Sequence, residues 1–574
     1  MERREIMITF DHVSFRYPGT EDWILKDVSV TIEKHSFTAI IGGNGAGKST
    51  FCKAINGLIP FYYVGDFEGK VQVDGVDTAT ANVASLSRKV SYVYQDFENQ
   101  LVRPRVIDEI IFSPLNYGYE DFQERGERAL ELLDLTHLAE EYVWQLSGGQ
   151  KHLVALAGAL ALNPDVLIID EPVAQLDPAH AIELYEKLKV LHEDHDITII
   201  VIEHHTEFIA SYCNDVILLE QGNVKWKKPV REALNAVDEL TEKQIHPPQV
   251  TMAAASQMQQ ERMLPVTVKE GAEWFKEYKN HPRKMPKLVV QPGSTPLIEF
   301  DQVSYGYKTL SRKRVPIIKD LQMQIRQGER IALVGSNGAG KSTILKLISG
   351  LLKPLSGEIC FQGNSTIKTS PEKLAEKIAY IYQKPEEMFI EDEVVKDVAF
   401  FLKVRDNPNL EQVTEKIMHQ FHLNEIKHRD GRLLSGGQQR RASLAIGLAM
   451  QPELVLLDEP TASLDIATKR EMISMLQKLD SQVKASVVAT HDMQLVAEWA
   501  TRVVVLNQGR IIADVSPMEL FSNEALLRRA SLVEPQIVSL CHQLQIHPIE
   551  LSIEGFLNRI YLEEAASERF SEVF

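Results

Sequence analysis

The sequence has 574 residues, 44% hydrophobic and 25% charged, the makeup of a folded multi-domain chain rather than a disordered or fibrous one. Lysine and arginine number 62 against 80 aspartates and glutamates, a net charge of −18 that argues against a broad phosphate-backbone-binding surface. Four scattered cysteines (Cys52, Cys213, Cys360, Cys541) lack Cys-x-x-Cys spacing, which argues against a disulfide framework, an iron–sulfur cluster or a zinc module.

The chain opens on MERREIMITF, which turns strand-like at once and holds no apolar stretch long enough for a signal peptide. ITFDHVSFRY predicts an alternating strand that ends at Tyr17. An apolar strand then runs into GGNGAGKST, Gly42–Thr50, which fits GxxxxGK[ST]. The glycines of such a loop (Gly42, Gly45 and Gly47, with Asn44) let backbone N–H groups turn inward around a phosphate, and the following helix adds its positive dipole end. Lys48 is placed to reach the β- and γ-phosphates, Ser49 to ligate Mg²⁺, and Thr50 to join the same cradle.

A polar, helical middle follows SYVYQ at Gln95. LSGGQ, Leu146–Gln150, then leads into an Ala/Leu-rich helix, so that Ser147, Gly148, Gly149 and Gln150 form a second anion-binding turn. LIIDEP, Leu167–Pro172, puts Asp170 at the carboxyl end of a buried strand, where it can hold Mg²⁺ through water. Glu171 comes next, as the natural general base for an attacking water. AQLDP supplies Asp177, and a last apolar strand, TIIVIEH, ends at His204. Residues 236–295 are rich in Pro, Gln, Met and Ala and read as a linker, with a short helix expected near Glu270–Lys279.

The pattern then returns. GSNGAGKST contributes Gly335, Asn337, Gly338, Gly340, Lys341, Ser342 and Thr343, preceded by Tyr307 at the end of LIEFDQVSYGY. AYIYQ supplies Gln383, LSGGQ supplies Ser435, Gly436, Gly437 and Gln438, and VLLDEP supplies Asp458 and Glu459. ASLDI gives Asp465, and SVVATH gives His491. The offset is 293 residues at the two lysines and 288 at both the signature serines and the glutamates. One order and nearly one spacing mean duplication. The five-residue difference lies between Lys48 and Gln95, where IPFYYVGDFEG lengthens a loop. The expected fold is therefore α/β, two tandem P-loop NTPase domains. Each is a mostly parallel sheet covered on both faces, with an antiparallel β subdomain and a helical subdomain. The expected divisions are 1–235, linker 236–295, 296–525, and a helical tail 526–574. The apolar stretches are a few residues long, so no membrane span is expected.

The order P-loop, LSGGQ, DEP resembles the ATP-binding-cassette (ABC) ATPases over nearly the whole chain. The resemblance implies ATP and Mg²⁺ as ligands and two cassettes facing head to tail within one chain. Ser147 to Gln150 then complete the site on Lys341, and Ser435 to Gln438 the site on Lys48. It also implies that Tyr17 and Tyr307 stack on adenine, and that Gln95 and Gln383 touch Mg²⁺ and water. His204 and His491 contact the γ-phosphate, and Asp177 and Asp465 belong to a loop crossing the cassette interface. Three departures stand out in the first half: Lys-His-Leu (151–153) after the signature where the second has Gln-Gln-Arg-Arg (438–441), His205 where the second has Asp492, and a Trp-Gln lead into the signature. None removes a phosphate-contacting group, so both sites read as hydrolytic.

Two further segments carry a narrower likeness. DFENQLVRPRVIDEIIFSPLNYGY, which follows Gln95, and QKPEEMFIEDEVVKDVAF, which begins at Gln383, are similar to the same stretch in ATPases of energy-coupling-factor (ECF) and cobalt-type importers. The tail segment LVEPQIVSL is also similar to that group. The resemblance implies integral membrane partners, a coupling subunit and a substrate-capture subunit, at the cytoplasmic face of the cell membrane, with no nucleic acid. Grooves beside Gln95 and Gln383 are then expected to hold coupling helices, and the solute is expected to be a vitamin or metal. The competing reading is a twin-cassette ABC-F type factor acting on the ribosome. Its linker is expected to be a strongly charged hairpin, whereas residues 236–295 hold seven acids and eight bases.

Overall fold

The computed structural model describes residues 5–173, 176–256, 262–276, 296–308, 314–462, 464, 466–479 and 482–560. The chain divides into two compact units, Met1–Lys276 and Glu277–Phe574.

In the first unit the strand Phe37–Ile41 is buried along its whole length. It belongs to a six-stranded sheet in the order Asn223–Pro229, Asp215–Glu220, Phe37–Ile41, Thr198–Ile202, Val166–Asp170, Val90–Val93. All neighbours are parallel except the edge pair Asn223–Pro229 and Asp215–Glu220. FTAII, VLIID and TIIVI are apolar without alternation because helices cover both faces of a parallel sheet. Parallel strands also end on the same edge. The glycine-rich loop, Gln95, Asp170 and His204 each lie at or just beyond the carboxyl end of one of them, so the topology alone gathers four motifs along one line.

A second, antiparallel sheet runs Leu25–Glu33, Ile6–Arg16, Asp66–Val73, Val76–Asp77. It packs against the helix Lys48–Ile55, where Phe10 stacks flat on Phe51 with ring centroids 4.1 Å apart. The helices Val106–Ile110 and Phe122–Leu132 pack on the signature helix Gly148–Leu160 through Val106, Ile110, Leu130, Val154 and Leu156.

The second unit repeats this plan. Its six-stranded sheet runs Ile378–Ile381, Leu454–Asp458, Ala485–Ala489, Arg330–Val334, Arg502–Asn507, Arg510–Val515. Its antiparallel sheet runs Arg314–Ile325, Ile298–Lys308, Ser356–Phe361, Asn364–Ser365. The expected α/β architecture, with mostly parallel sheets and separate antiparallel sheets, is present in both halves.

The region read as a linker differs from that reading over its first part. Helices Val237–Glu242, Gln249–Ala255 and Val268–Phe275 lie within the first unit, with Leu240, Val250, Ala253 and Phe275 buried. Trp226 donates from Nε1 to Glu239 at 3.0 Å, and Thr206 donates to the His246 carbonyl at 2.8 Å. Val268–Phe275 overlaps the short helix expected near Glu270–Lys279; the other two, of six and seven residues, are too short to display sustained apolar periodicity. Residues 277–295 lie outside the described residues, as does the end of the helix expected to reach Lys279. In the tail, Gln536–Gln543 and Ile553–Ile560 are helices that bury Ile537, Leu540, Phe556 and Leu557.

One buried carboxylate recurs at the start of each helical part. Glu109 accepts from the backbone N–H groups of Val102 (2.8 Å) and Arg103 (2.5 Å), and Asp397 accepts from those of Ile390 (2.7 Å) and Glu391 (2.9 Å). Burial pushes both carboxyl pKa values up although the N–H groups pull the other way. Glu109→Ala leaves two donors without their partner, a cost of about 1–3 kcal/mol. The expected result is faster amide hydrogen exchange at Val102 and Arg103; unchanged protection there contradicts the assignment.

Candidate functional site

The glycine-rich loop follows directly from the buried strand Phe37–Ile41. Gly42 has φ +152°, and a Cβ there would come within 2.3 Å of the Leu219 carbonyl oxygen; Gly335 (φ +146°) meets Leu506 in the same way at 2.2 Å. At Gly47 (φ +96°) and Gly340 (φ +106°) the chain turns in the left-handed region into helices that begin at Lys48 and Lys341. Gly45 and Gly338 also have positive φ and face open space. Asn44 and Asn337 lie in the same loops. Both lysines are buried, and their ammonium groups bond the loop's own carbonyls: Lys48 to Gly42 at 2.8 Å, Lys341 to Gly335 at 2.7 Å. The ammonium therefore sits inside the cradle, where a phosphate needs its counter-charge.

Asp170 and Asp458 end their strands as buried carboxylates. Tyr92 donates to Asp170 at 3.1 Å and Tyr380 to Asp458 at 2.9 Å. Ser342 donates to Asp458 at 2.9 Å, and Ser49 hydrogen-bonds Asp170 in the same role. Burial pushes both carboxyl pKa values up, so each is a desolvated acid that gains from a nearby cation. Paired hydroxyl and carboxylate oxygens are a hard donor set that fits Mg²⁺.

Glu171 and Glu459 stand in an unusual backbone conformation. Their φ values are +52° and +47°, the left-handed region that non-glycine residues seldom adopt. The strain is held by the next strand: Glu171 N–H donates to Ile202 O at 3.0 Å and Glu459 N–H to Ala489 O at 2.9 Å. Such strain costs on the order of 1–3 kcal/mol and persists only where the surrounding structure over-determines it. Here it turns the carboxylates toward the histidines. His204 Nε2 lies 3.3 Å from Glu171, and His491 Nδ1 lies 2.9 Å from Glu459. Burial works against a charged imidazole at His491, but Glu459 outweighs it and holds the histidine pKa above its ordinary value. Burial likewise works against a charged Glu459, and His491 with Lys341 (3.9 Å away) brings its pKa below the usual range.

Gln95 donates to Glu171 at 2.6 Å, so the glutamine and the general-base candidate meet. Gln383 is exposed, and no bond from it to Glu459 occurs among the described residues. Tyr17 and Tyr307 lie against the phosphate-loop helices, their hydroxyls 3.3 Å from Thr50 and 3.5 Å from Thr343. Ser147 and Ser435 are helix N-caps closed by capping boxes: each serine accepts from the backbone of Gln150 or Gln438, whose side chain accepts from the serine N–H in return. Gly148 and Gly436 face open space, while Gly149 and Gly437 pack on His180 and Thr468. Asp177 is buried and caps its helix, accepting from the His180 N–H at 3.2 Å. Asp465 lies outside the described residues.

The departures in the first half now have physical partners. His152 is buried and stacks on Phe97 with centroids 4.5 Å apart, while Lys151 pairs with Glu98 at 2.6 Å. Burial takes the His152 pKa down to about 4, so it packs as a neutral ring. In the second half Arg440 instead donates to the Tyr382 carbonyl at 3.3 Å. Asp492 caps the helix Met493–Trp499, whereas His205, at that position in the first half, makes no side-chain cap on the helix Thr206–Tyr212, and the buried carboxylate of that loop is Glu203. Glu203 accepts from the N–H groups of His204 (2.7 Å) and His205 (2.8 Å) and from the Tyr185 hydroxyl (2.7 Å). Sequence reasoning missed Glu203, Tyr92 and Tyr380. The tyrosines had a signal, since SYVYQ and AYIYQ repeat them; Glu203 has no counterpart in the second half, where Thr490 stands.

The family model described as ABC transporter matches residues 25–174 and 318–462. The chain is 32% identical over 565 residues to a protein of Enterococcus faecalis provisionally named ABC transporter ATP-binding protein, covering 96% of this chain and 98% of the relative. A protein of Caldanaerobacter subterraneus subsp. tengcongensis with the same provisional name is 32% identical over 548 residues, covering 93% of this chain and 95% of the relative. Among solved structures, cbiO1 of Clostridium perfringens, described as part of the ABC transporter complex cbiONQ, is 28% identical with a TM-score of 0.38. That match covers 42% of this chain and 96% of cbiO1.

Glu203→Ala removes the partner of three donors at once, and a loss of about 1–3 kcal/mol in the stability of the first unit is expected. Denaturant unfolding followed by a probe in that unit checks it; an unchanged midpoint contradicts the role given to Glu203.

Proposed function

This chain belongs to the ABC transporter family of ATPases, and on that premise we propose that it is the fused ATPase subunit of an ECF-type importer for a vitamin or metal. It works with Mg²⁺ at the cytoplasmic face of the membrane, bound peripherally to a coupling subunit and a substrate-capture subunit. Among the described residues, no helix is long and apolar enough to cross a membrane. The cassettes are read as 1–235 and 296–525, with 236–295 connecting them and 526–574 as a helical tail.

In each half the chemistry assigned to the chain's own residues is the same. Lys48 and Lys341 counter phosphate charge inside loops whose N–H groups turn inward. Ser49 with Asp170, and Ser342 with Asp458, hold Mg²⁺, which supplies charge neutralisation at the phosphates when bound. Gln95 and Gln383 join that shell. Glu171 and Glu459 accept the proton of the attacking water, and His204 and His491 orient them and reach the γ-phosphate. The signatures at Ser147–Gln150 and Ser435–Gln438 serve the nucleotide of the opposite half, Tyr17 and Tyr307 take the adenine, and Asp177 and Asp465 belong to the interface loop. The single observation that carries hydrolysis is the strained Glu171 and Glu459 backbone, which turns each carboxylate toward its histidine.

Membrane coupling is supported by a groove of about 300 Å³ beside the Gln95 loop, lined by Leu101, Val102, Pro104, Val143 and Trp144 and by the charged Glu98, Arg103 and Lys151. Val102 and Trp144 are 61% and 59% exposed, so apolar and charged groups lie side by side as an amphipathic helix requires. In the second half Ile390, at the position matching Val102, is 57% exposed.

Glu171→Gln and Glu459→Gln, made separately, are each expected to slow hydrolysis at their own site by roughly 10²–10⁴-fold while leaving ATP binding in place. Phosphate release from the purified chain measures this, and an unmodified rate in either variant shows that half not to be catalytic. Trp144→Asp is expected to reduce recovery of the chain with detergent-solubilised membrane proteins. Co-sedimentation of the unmodified chain with ribosomes, and not with membranes, overturns the importer reading in favour of an ABC-F type factor.

A further inference from the structure

The two halves differ in length on the flank of the first phosphate loop. Gly69 lies twelve positions after Gly57, whereas Gly357 lies seven after Gly350. The longer connection carries Phe61, Tyr62 and Tyr63; its counterpart, LLKPLS (351–356), has no aromatic residue. The extra residues do not point away from the site. The Tyr63 ring lies 6.4 Å from that of Tyr17 and nearly perpendicular to it, at 84°. Lys53, on the helix that begins at Lys48, holds its ammonium 4.3 Å from the centre of the Tyr63 ring. Tyr62 packs edge-on to Tyr63 at 5.1 Å and is still 73% exposed. Tyr94, next to Gln95, has its pKa pushed up to about 12, first by burial and then by Tyr63 and Tyr62.

We infer that Tyr63, supported by Tyr62 and Lys53, is a specificity-determining contact for the purine base of the nucleotide bound at the Lys48 loop. The inference rests on the reading that Tyr17 stacks the base. A planar base lying on Tyr17 meets a second aromatic ring near a right angle, the edge-to-face arrangement that ring quadrupoles favour. Lys53 over one face fixes the Tyr63 ring through a cation–π contact. Tyr307 in the second half packs on Tyr305 at 5.1 Å, and the connection matching the tyrosine pair has no aromatic residue, so among the described residues its base site has one aromatic wall where the first has two. The two sites are therefore unequal in what they ask of the base and equal in what they ask of the phosphates.

The test uses the full chain carrying Lys341→Ala, so that nucleotide binding reports the first loop. Calorimetry compares ATP with tripolyphosphate, which has the phosphates and no base, in the parent, Tyr63→Leu and Tyr63→Phe. The expected result is ATP binding weakened about ten-fold in Tyr63→Leu, tripolyphosphate binding unchanged, and Tyr63→Phe close to the parent. ATP affinity unchanged in Tyr63→Leu overturns the inference and leaves Tyr17 and the phosphate loop standing; it is also the result expected if the tyrosines serve a protein contact. Parallel weakening of both ligands overturns it too, because it shows that Tyr63 only supports the helix of Lys48. Failure of the parent to bind either ligand removes the nucleotide reading itself.

Discussion

A carboxylate at the carboxyl end of a fully buried parallel strand is the constraint on which both halves depend. Asp170 and Asp458 close apolar strands that cannot accommodate an unpartnered charge. Each is held by a tyrosine from the neighbouring strand and by the serine that follows the phosphate-loop lysine. That one arrangement ties the sheet edge, the glycine-rich loop and the helix after it into a single geometry. The adjoining glutamates take the strained backbone because the strand beyond accepts their N–H groups. Desolvation raises the Asp170 and Asp458 carboxyls, while at Glu459 the charges of His491 and Lys341 outweigh it.

The two halves meet the same demands with different residues. In the second, Asp492 caps the helix after the histidine; in the first, His205 stands there without a side-chain cap, and Glu203, just past the strand end, holds the N–H groups of His204 and His205. Behind the signature, a neutral His152 stacked on Phe97 stands where Arg440 bonds the Tyr382 carbonyl. Neither change is like for like: Asp492 caps the N–H groups of Gln494 and Leu495, whereas Glu203 holds the N–H groups of His204 and His205, and a ring stack replaces a guanidinium–carbonyl bond. Duplication thus preserved the chemistry of contact and let the supporting residues diverge.

The aromatic connection in the first half belongs to neither pattern. It adds surface beside Tyr17 and leaves the phosphate-binding groups as they are in the second half. A change confined to the flank of a site alters selectivity and relative occupancy more readily than it alters the reaction itself.

The duplication, the α/β class and the order of the motifs were legible in the chain alone, because these are local: a glycine pattern, an apolar run ending in Asp-Glu, and a spacing that repeats. So was the set of residues that share one edge, since parallel strands end on the same side. Folding in three dimensions settled the rest: that Glu171 and Glu459 adopt a left-handed backbone, that Glu203 caps the histidine loop, that Tyr63 leans on Tyr17, and that the helices between 237 and 275 fold onto the first unit. Each of these depends on which groups far apart in the chain satisfy one another's hydrogen bonds or fill one another's surface, and no local pattern encodes that pairing.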